Sequence, residues 1–245
     1  MTDPAPPEGK DLFLDAADTR IPVHQSRPSG DGPWPGVVVV HDALGMTSDL
    51  RAQADWLASH GFLAVAPDLY HRGGRLRCMF STLRSLAAGH GQVFEDLEVT
   101  RSWLAVRPEC TGRVGIIGFC MGGNLALMLA CSGRYESASV NYGDISGSSY
   151  PDLAQACPVV GSYGGRDRSL RETPARLERA LRDHGVDHDI VVYPDAGHGF
   201  LNDHRGETPL WALVAGWYAN TGYDEAAADA ARKRIVAFFD EHLGS

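Results

Sequence analysis

Gly118-Phe119-Cys120-Met121-Gly122, extended by Gly123, is the stretch of sequence on which the interpretation of the whole chain depends. An apolar run, 114–117, precedes it, and a run with helical character, 124–130, follows it. Strand, sharp turn and helix in this order are typical of a nucleophile elbow, in which G-x-S-x-G lifts its central residue above a sheet. The strained backbone of that residue needs neighbours without side chains, which accounts for the glycines. The pattern therefore predicts Cys120 as a nucleophile.

Two other interpretations of this turn are weaker. Glycine-rich turns between a strand and a helix occur in nucleotide-binding folds, but glycines 115, 118, 122 and 123 do not fit G-x-G-x-x-G. A cysteine is also commonly an inert apolar residue of a core. The elbow favours reactivity because Met121 opens the following helix, so that its N–H is free to donate and the positive helix end favours a thiolate at Cys120.

Composition limits the classes of protein that this chain can be. Its 245 residues are 44% hydrophobic with a net charge of −9, which fits one globular α/β domain over residues 1–245 and argues against a nucleic-acid partner. No apolar run is long enough to span a membrane, and residues 1–10 resemble a loose acidic tail rather than a signal peptide. Five cysteines without paired spacing predict reduced thiols in the cytoplasm and no metal site.

Apolar runs alternate with helical patterns along the chain, which predicts a mainly parallel sheet with helices on both faces. The predicted strands are 11–15, 21–26, 37–40, 62–66, 114–117, 139–142, 158–163 and 190–193. The predicted helices are 49–60 (capped by Ser48 or Asp49), 76–88, 93–106, 124–130, 174–184, 210–218 and 225–243. No repeat or linker divides the chain, so a single domain is predicted.

Sites in open α/β sheets form outside the carboxyl ends of the strands. Four such loops carry reactive side chains: His41-Asp42-Ala43, the Cys120 elbow, Arg166-Asp167-Arg168 and Gly197-His198-Gly199. The order nucleophile, acid, histidine is that of an α/β-hydrolase. This order predicts a catalytic triad of Cys120, Asp167 and His198, in which Asp167 fixes the imidazole tautomer. Asp144, after the preceding strand, remains an alternative acid.

Four motifs resemble those of the dienelactone hydrolase family over residues 37–243. They are the elbow 118–123, Pro67-Asp68-Leu69-Tyr70, Gly164-Gly165-Arg166-Asp167 and Tyr193-Pro194-Asp195-Ala196-Gly197-His198-Gly199-Phe200. The resemblance implies an α/β-hydrolase fold, a Cys–Asp–His triad on Cys120, Asp167 and His198, and an oxyanion hole made by the backbone N–H groups of Ala43 and Met121. It also implies a carboxylate that holds the resting thiol, and two arginines that bind the substrate carboxylate.

The chain departs from that pattern at the substrate-binding positions. The family's carboxylate is usually a glutamate, whereas Asp42 stands here and either caps the segment that follows or contacts Cys120. Asn202 stands at one arginine position, with Arg205 nearby. The second arginine is one of Arg75, Arg77 and Arg84, and we take Arg77 as the candidate for binding a substrate carboxylate. These departures leave the hydrolytic chemistry in place and leave the substrate open.

The sequence thus predicts a cofactor-free hydrolase of a small-molecule lactone or carboxylic ester, acting as a monomer or homodimer. Two alternatives keep the fold: a redox-sensing protein in which Cys120 is oxidised, and an inactive hydrolase that binds a small molecule. The intact order of Cys120, Asp167 and His198 favours catalysis, because sensing needs neither an acid nor an oxyanion hole. His41, His71 and His204 have no predicted partner, and Trp211, Trp217 and Tyr218 are expected to pack a late helix or wall the pocket.

Overall fold

The apolar runs of the sequence form the strands of one sheet. The computed structural model describes residues 7–144, 152–204, 207 and 221–244. Within them the strands are β1 (Glu8–Asp15), β2 (Arg20–Arg27), β3 (Trp34–Val40), β4 (Leu63–Pro67), β5 (Cys110–Phe119), β6 (Ser137–Asn141), β7 (Val159–Gly164) and β8 (His188–Tyr193). Their order across the sheet is β1-β2-β4-β3-β5-β6-β7-β8. The pairings from β4 to β8 are parallel, and β1 and β2 add antiparallel pairings at one edge.

Helices cover both faces of this sheet, as predicted. They are α1 (Ser48–Ser59), α2 (Arg75–Ala88), α3 (Gln92–Ala105), α4 (Met121–Ala130), α5 (Thr173–Asp183) and α6 (Glu225–Leu243). Gly36 faces Leu104 of α3, whereas Gly115 faces Leu243 of α6. Gly115 pairs with Val37, the residue after Gly36, and successive strand residues point to opposite faces. The α3 and α6 helices therefore lie on opposite sides.

The centre of the sheet is buried on both faces. Val37, Val38, Val39 and Val40 of β3 are fully buried, which explains their continuous β-branched run. One contiguous apolar cluster joins β3 to its neighbouring strands and to the helices on either face. The predicted site residues follow the carboxyl ends of β3, β5, β6, β7 and β8, which share one edge of this sheet.

Several elements begin earlier than predicted, such as β5 at Cys110 and α4 at Met121, and three further differences concern particular residues. Residues 8–10 are not part of a loose tail, because β1 begins at Glu8 and Gly9 pairs with Ser26. The cap of α1 is Thr47, whose hydroxyl accepts from the Leu50 N–H at 3.3 Å, rather than Ser48 or Asp49. Tyr142 lies just beyond β6 and has a positive φ of 41°. The predicted helix 210–218 lies outside the described residues.

No helix in the described ranges combines the length and apolar character that crossing a membrane requires.

Candidate active site

Cys120 occupies a strained turn between β5 and α4. Its φ of 54° and ψ of −113° lie in a region that residues with a Cβ rarely adopt. The Cys120 N–H donates to the Asn141 carbonyl at 3.0 Å, and the Cys120 carbonyl accepts from the Asn124 N–H at 3.2 Å. The backbone is thus held from both sides, in the arrangement that the glycine spacing predicted.

The glycines of the elbow are required by close backbone contacts. A Cβ at Gly118 would overlap the carbonyl oxygen of Gly122, which is four residues further on and is the second residue of α4. A Cβ at Gly122 would overlap the carbonyl oxygens of Val40 and His41, at the end of β3. The elbow therefore packs directly on the loop that carries Asp42 and Ala43.

His198 and Asp167 form a buried hydrogen-bonded pair beside Cys120. The His198 Nδ1 atom lies 2.6 Å from the Asp167 Oδ2 atom, and the Asp167 side chain is fully buried. The second oxygen of Asp167 accepts from the Ser169 N–H at 2.9 Å and from the Ser169 hydroxyl at 2.5 Å. Both carboxylate oxygens are therefore fixed, and Nδ1 of His198 is the donor in this pair.

The electrostatics of the pair follow from its neighbours. Burial of the imidazole lowers its pKa, but the Cys120 charge and the hydrogen bond to Asp167 outweigh burial and raise the pKa of His198 to about 10. Burial raises the pKa of Asp167, but the hydrogen bond and charge of His198 outweigh it and hold that pKa below its usual value. The imidazole is thus charged at neutral pH, with a carboxylate on one side and the Cys120 sulfur on the other.

Two backbone N–H groups flank Cys120. Met121 is the first residue of α4, where a helix leaves its N–H groups without intrahelical acceptors. Ala43 follows β3 on the neighbouring loop, and its carbonyl accepts from the Tyr70 hydroxyl at 3.2 Å. Within the described part of the chain, neither the Ala43 nor the Met121 N–H has an acceptor in the protein. Both donors are available to a ligand oxygen.

Asp42 contacts a histidine that the sequence left without a partner. Its Oδ1 atom accepts from the Leu44 N–H at 2.7 Å, and its Oδ2 atom lies 2.8 Å from Nε2 of His204. Burial lowers the pKa of His204, but the hydrogen bond and charge of Asp42 outweigh it and raise that pKa. Asp42 does not cap α1, which Thr47 does, and among the described residues it makes no hydrogen bond to Cys120.

Asn202 is not exposed to a substrate, contrary to the sequence-based prediction. Its side chain is buried, its Oδ1 atom accepts from the Tyr142 hydroxyl, and its Nδ2 atom donates to Asp49 Oδ2 at 2.6 Å. Both ends of the amide are therefore occupied by protein. Arg205, the neighbouring alternative, lies outside the described residues.

The arginines of α2 differ in their relation to the site. Arg72, before the helix, pairs with Asp18 at 2.7 Å and with Asp96 at 3.0 Å. Arg75, Arg77 and Arg84 are exposed and form no ion pair within the described ranges. Arg75 lies near enough to Tyr70 for its charge to oppose the rise that burial causes in the pKa of that phenol. Arg75 therefore remains, with Arg77, a cation that a substrate carboxylate could meet.

Asp144, the alternative acid, is directed elsewhere. Its Oδ1 atom lies 3.5 Å from the Arg176 guanidinium and accepts from the Thr173 hydroxyl at 3.4 Å. His198 is bonded to Asp167 instead. The geometry thus brings Cys120, His198 and Asp167 together and leaves Asp144 at α5.

The remaining histidines have structural contacts. His41 is fully buried, its Nδ1 atom lies 2.6 Å from the Asp42 carbonyl, and its Nε2 atom accepts from the Leu69 N–H at 3.2 Å. Because Nε2 accepts, it carries no proton, and burial, which lowers the pKa of His41, favours this neutral ring. Nδ1 of His71 donates to the Asp68 carbonyl at 2.7 Å. Among the described residues, no group of three or more His, Cys, Asp or Glu side chains is arranged to hold a metal ion.

Four residues of this region received no predicted role in the site: Asp49, Tyr142, Ser169 and His204. Ser169 had a detectable signal, because an Asp-x-Ser segment after a strand favours a turn in which the carboxylate accepts from the N–H two residues on. The other three make their contacts with residues far away in the sequence, which no local pattern reveals.

Comparisons with known proteins extend over nearly the whole chain. The model of the dienelactone hydrolase family matches residues 21–243. A Salmonella typhimurium protein described as "Putative carboxymethylenebutenolidase" is 33% identical over 242 residues, which cover 91% of this chain and 84% of that protein. An Escherichia coli K12 protein of the same description is 33% identical over 215 residues, covering 80% and 79%. The crystal structure of a "Putative Dienelactone Hydrolase" from Klebsiella pneumoniae superposes with a TM-score of 0.80 at 28% identity, covering 96% of this chain and 99% of that one.

Proposed function

Because the chain belongs to the dienelactone hydrolase family and is a hydrolase of lactones or esters, we propose that it forms a thioester on Cys120, with His198 and Asp167 handling the proton. No cofactor takes part in this scheme. The observation that carries the proposal is the hydrogen bond between His198 and the buried Asp167 carboxylate, beside Cys120, and the raised pKa of His198 supports it.

In the proposed acylation, His198 holds the Cys120 proton as an imidazolium. The Cys120 thiolate attacks the carbonyl carbon, a C–S bond forms, and the carbonyl oxygen becomes an oxyanion. When the tetrahedral intermediate collapses, the C–O bond to the leaving group breaks. The His198 imidazolium gives its proton to the departing alkoxide or enolate, so that an alcohol leaves and a thioester remains.

Deacylation reverses the role of the imidazole. With the thiolate consumed, the charge that raised the pKa of His198 is gone, and the neutral ring accepts a proton from water. The hydroxide attacks the thioester carbonyl, the C–S bond breaks, and the carboxylic acid leaves the site. Cys120 returns as a thiolate beside the protonated His198, which closes the cycle.

The flanking groups stabilise these steps. The Ala43 and Met121 N–H groups, which lack protein acceptors within the described ranges, donate to the oxyanion. Asp167 keeps Nδ1 of His198 protonated, and Ser169 keeps Asp167 in place with two hydrogen bonds to its second oxygen. Each contact favours the charges of the transition state over those of the free substrate.

The substrate is a small lactone or carboxylic ester. The exposed cations Arg75 and Arg77 in the first turn of α2 are the groups that would meet a substrate carboxylate. Asn202 has no part in this contact, because its amide is occupied by Tyr142 and Asp49. All five cysteines are unpaired, which fits a reducing compartment such as the cytoplasm.

Alkylation with iodoacetamide tests this assignment against the other four thiols. Burial raises the pKa of Cys131 and of Cys157 to about 12, and it also raises the pKa of Cys110. Cys78 is buried, with its sulfur against the Tyr70 and Gly73 carbonyls. At neutral pH we expect Cys120 to be labelled at least about tenfold faster than any of them.

Peptide mass spectrometry gives the labelling rates, and hydrolysis of a neutral aryl ester is followed in the same samples. The loss of hydrolysis should match the labelled fraction of Cys120 at every time point. Full hydrolysis after complete labelling of Cys120 would contradict the proposal and favour the redox-sensing or binding alternative.

A further inference from the structure

A buried chain of polar side chains connects α1 to the residues that follow His198. Asp49, Asn202 and Tyr142 are only 6%, 4% and 1% exposed, respectively. The Tyr142 hydroxyl donates to Asn202 Oδ1, and Asn202 Nδ2 donates to Asp49 Oδ2 at 2.6 Å. Buried polar groups without partners are costly, so each of these three side chains constrains the next one.

The direction of this hydrogen-bond chain is fixed by chemistry. An ionised carboxylate only accepts hydrogen bonds, so the amide nitrogen of Asn202 must face Asp49 and its oxygen must face Tyr142. The other oxygen of Asp49 accepts from the Asp203 N–H at 2.8 Å and from the Gln53 amide at 3.3 Å. Asp49 is thereby anchored to α1 and to the backbone beside Asn202.

The last residue of this hydrogen-bond chain is Tyr142, whose ring packs against the His198 imidazole. Its ring centroid lies 5.1 Å from that of His198 and 5.8 Å from that of Phe200. Its φ of 41° is unusual for an aromatic residue, which persists in that conformation only where its surroundings hold it. Within the described residues, the Tyr142 hydroxyl donates to the Asn202 side-chain oxygen.

We propose that Asn202, oriented by Asp49, positions the Tyr142 ring against His198 and so holds the imidazole in the orientation that faces Cys120. Tyr142, Asn202 and Asp49 are positioning residues, because none of them touches the reacting atoms. This inference rests on the proposed cysteine hydrolase mechanism and extends it to residues outside the triad.

The physical reason is that one hydrogen bond does not fix a ring. The bond from Nδ1 to Asp167 holds one atom of His198 but permits rotation about the bond direction. Packing of the Tyr142 ring against the imidazole removes this freedom. If Asn202 no longer accepts from the Tyr142 hydroxyl, that hydroxyl is buried without a partner, and the ring shifts to find one.

Charged groups surround both the His198 and the Tyr142 rings. The charges of Cys120 and Asp167 act on His198, whereas burial raises the pKa of Tyr142 and the charges of Asp49, Asp42 and Cys120 raise it further. The Arg232 guanidinium, which donates to the Leu201 carbonyl at 3.2 Å, acts in the opposite direction and lowers the pKa of Tyr142. A change at Asn202 or Asp49 therefore alters position and charge together, and the experiment must separate the two.

Three variants separate position from charge. Tyr142→Phe removes only the hydroxyl. Asn202→Asp sets a second carboxylate against Asp49. The double variant Asp49→Asn/Asn202→Asp exchanges donor and acceptor, so that every hydrogen bond of the chain can form again with the charge moved by one residue. Tyr135→Phe is the matched control, because Tyr135 is a buried tyrosine at the opposite end of the sheet, before β6.

Two quantities are measured for each variant: kcat and KM for a neutral aryl ester, and the pH at which iodoacetamide alkylation of Cys120 is half-maximal. Tyr142→Phe and Asn202→Asp should lower kcat by about tenfold or more, with KM changed by less than about threefold. The alkylation midpoint should shift upward by about half a pH unit or more, since the imidazolium no longer faces the sulfur. The double variant should recover kcat to within about threefold of wild type.

Tyr135→Phe should change neither quantity, even if it alters thermal stability. The proposal is overturned if Tyr142→Phe and Asn202→Asp keep the wild-type alkylation midpoint, or if the double variant is no better than Asn202→Asp. Failure of the proposed function looks different, because wild-type protein would then show no ester hydrolysis that depends on Cys120.

Discussion

Cys120→Ala should lower ester hydrolysis by at least about a thousandfold, because no other group in the site can form the thioester. The substitution removes one sulfur atom and keeps the Cβ, so the strained φ of 54° costs the variant no more than the wild type. The melting temperature should therefore stay close to that of the wild-type protein. Residual hydrolysis should equal that of a blank containing a protein without the site.

The variant Cys120→Ser keeps the shape of the side chain and changes only the nucleophilic atom. In the proposed mechanism the Cys120 charge is the largest contribution that raises the pKa of His198, and a serine hydroxyl does not supply it. His198 would then have to act as a base toward a much less acidic group, so Cys120→Ser should retain weak hydrolysis at most. Wild-type turnover in Cys120→Ala, measured with the same ester, would remove the basis of the mechanism.

Asp167→Asn should lower turnover by about a hundredfold or more. The amide that replaces the carboxylate offers an N–H toward Nδ1 of His198, which favours the wrong imidazole tautomer and withdraws the negative charge that stabilises the imidazolium. The two hydrogen bonds from Ser169 remain available to the amide oxygen, so the loop should keep its shape. The expected loss is in kcat, with a small change in KM.

Asp144→Asn is the matched control for Asp167→Asn. Both replace a carboxylate that follows a parallel strand, but Asp144 contacts Thr173 and Arg176 rather than His198. Its turnover should stay within about threefold of wild type. A larger loss for Asp144→Asn than for Asp167→Asn would place the acid after β6 and contradict the assignment.

The backbone of the site was predictable because its constraints are local. The glycines around Cys120 leave no room for a Cβ, so their spacing encodes the elbow directly. The fully buried run from Val37 to Val40 encodes a central strand in the same way. Alternation of strands and helices then fixed which loops share an edge of the sheet, and this brought Asp167 and His198 to Cys120.

The contacts around the site were not predictable, because each depends on residues that are distant in the sequence. Asn202 meets Asp49 and Tyr142 only in the folded chain, and no periodicity marks such a pair. Asp42 similarly contacts His204, which lies far from it in the sequence. The resemblance placed Asn202 at a substrate-binding position, whereas in the structure its amide completes a buried network.

The most direct test of the account is the mass of the enzyme during turnover. A neutral aryl ester is mixed with wild-type protein, the reaction is quenched in acid, and intact-protein and peptide mass spectrometry follow. The account predicts a transient mass increase of one acyl group, located on the peptide that contains Cys120, sensitive to hydroxylamine and absent in Cys120→Ala. Steady hydrolysis with no acyl group on Cys120, or with the acyl group on another residue, would contradict it.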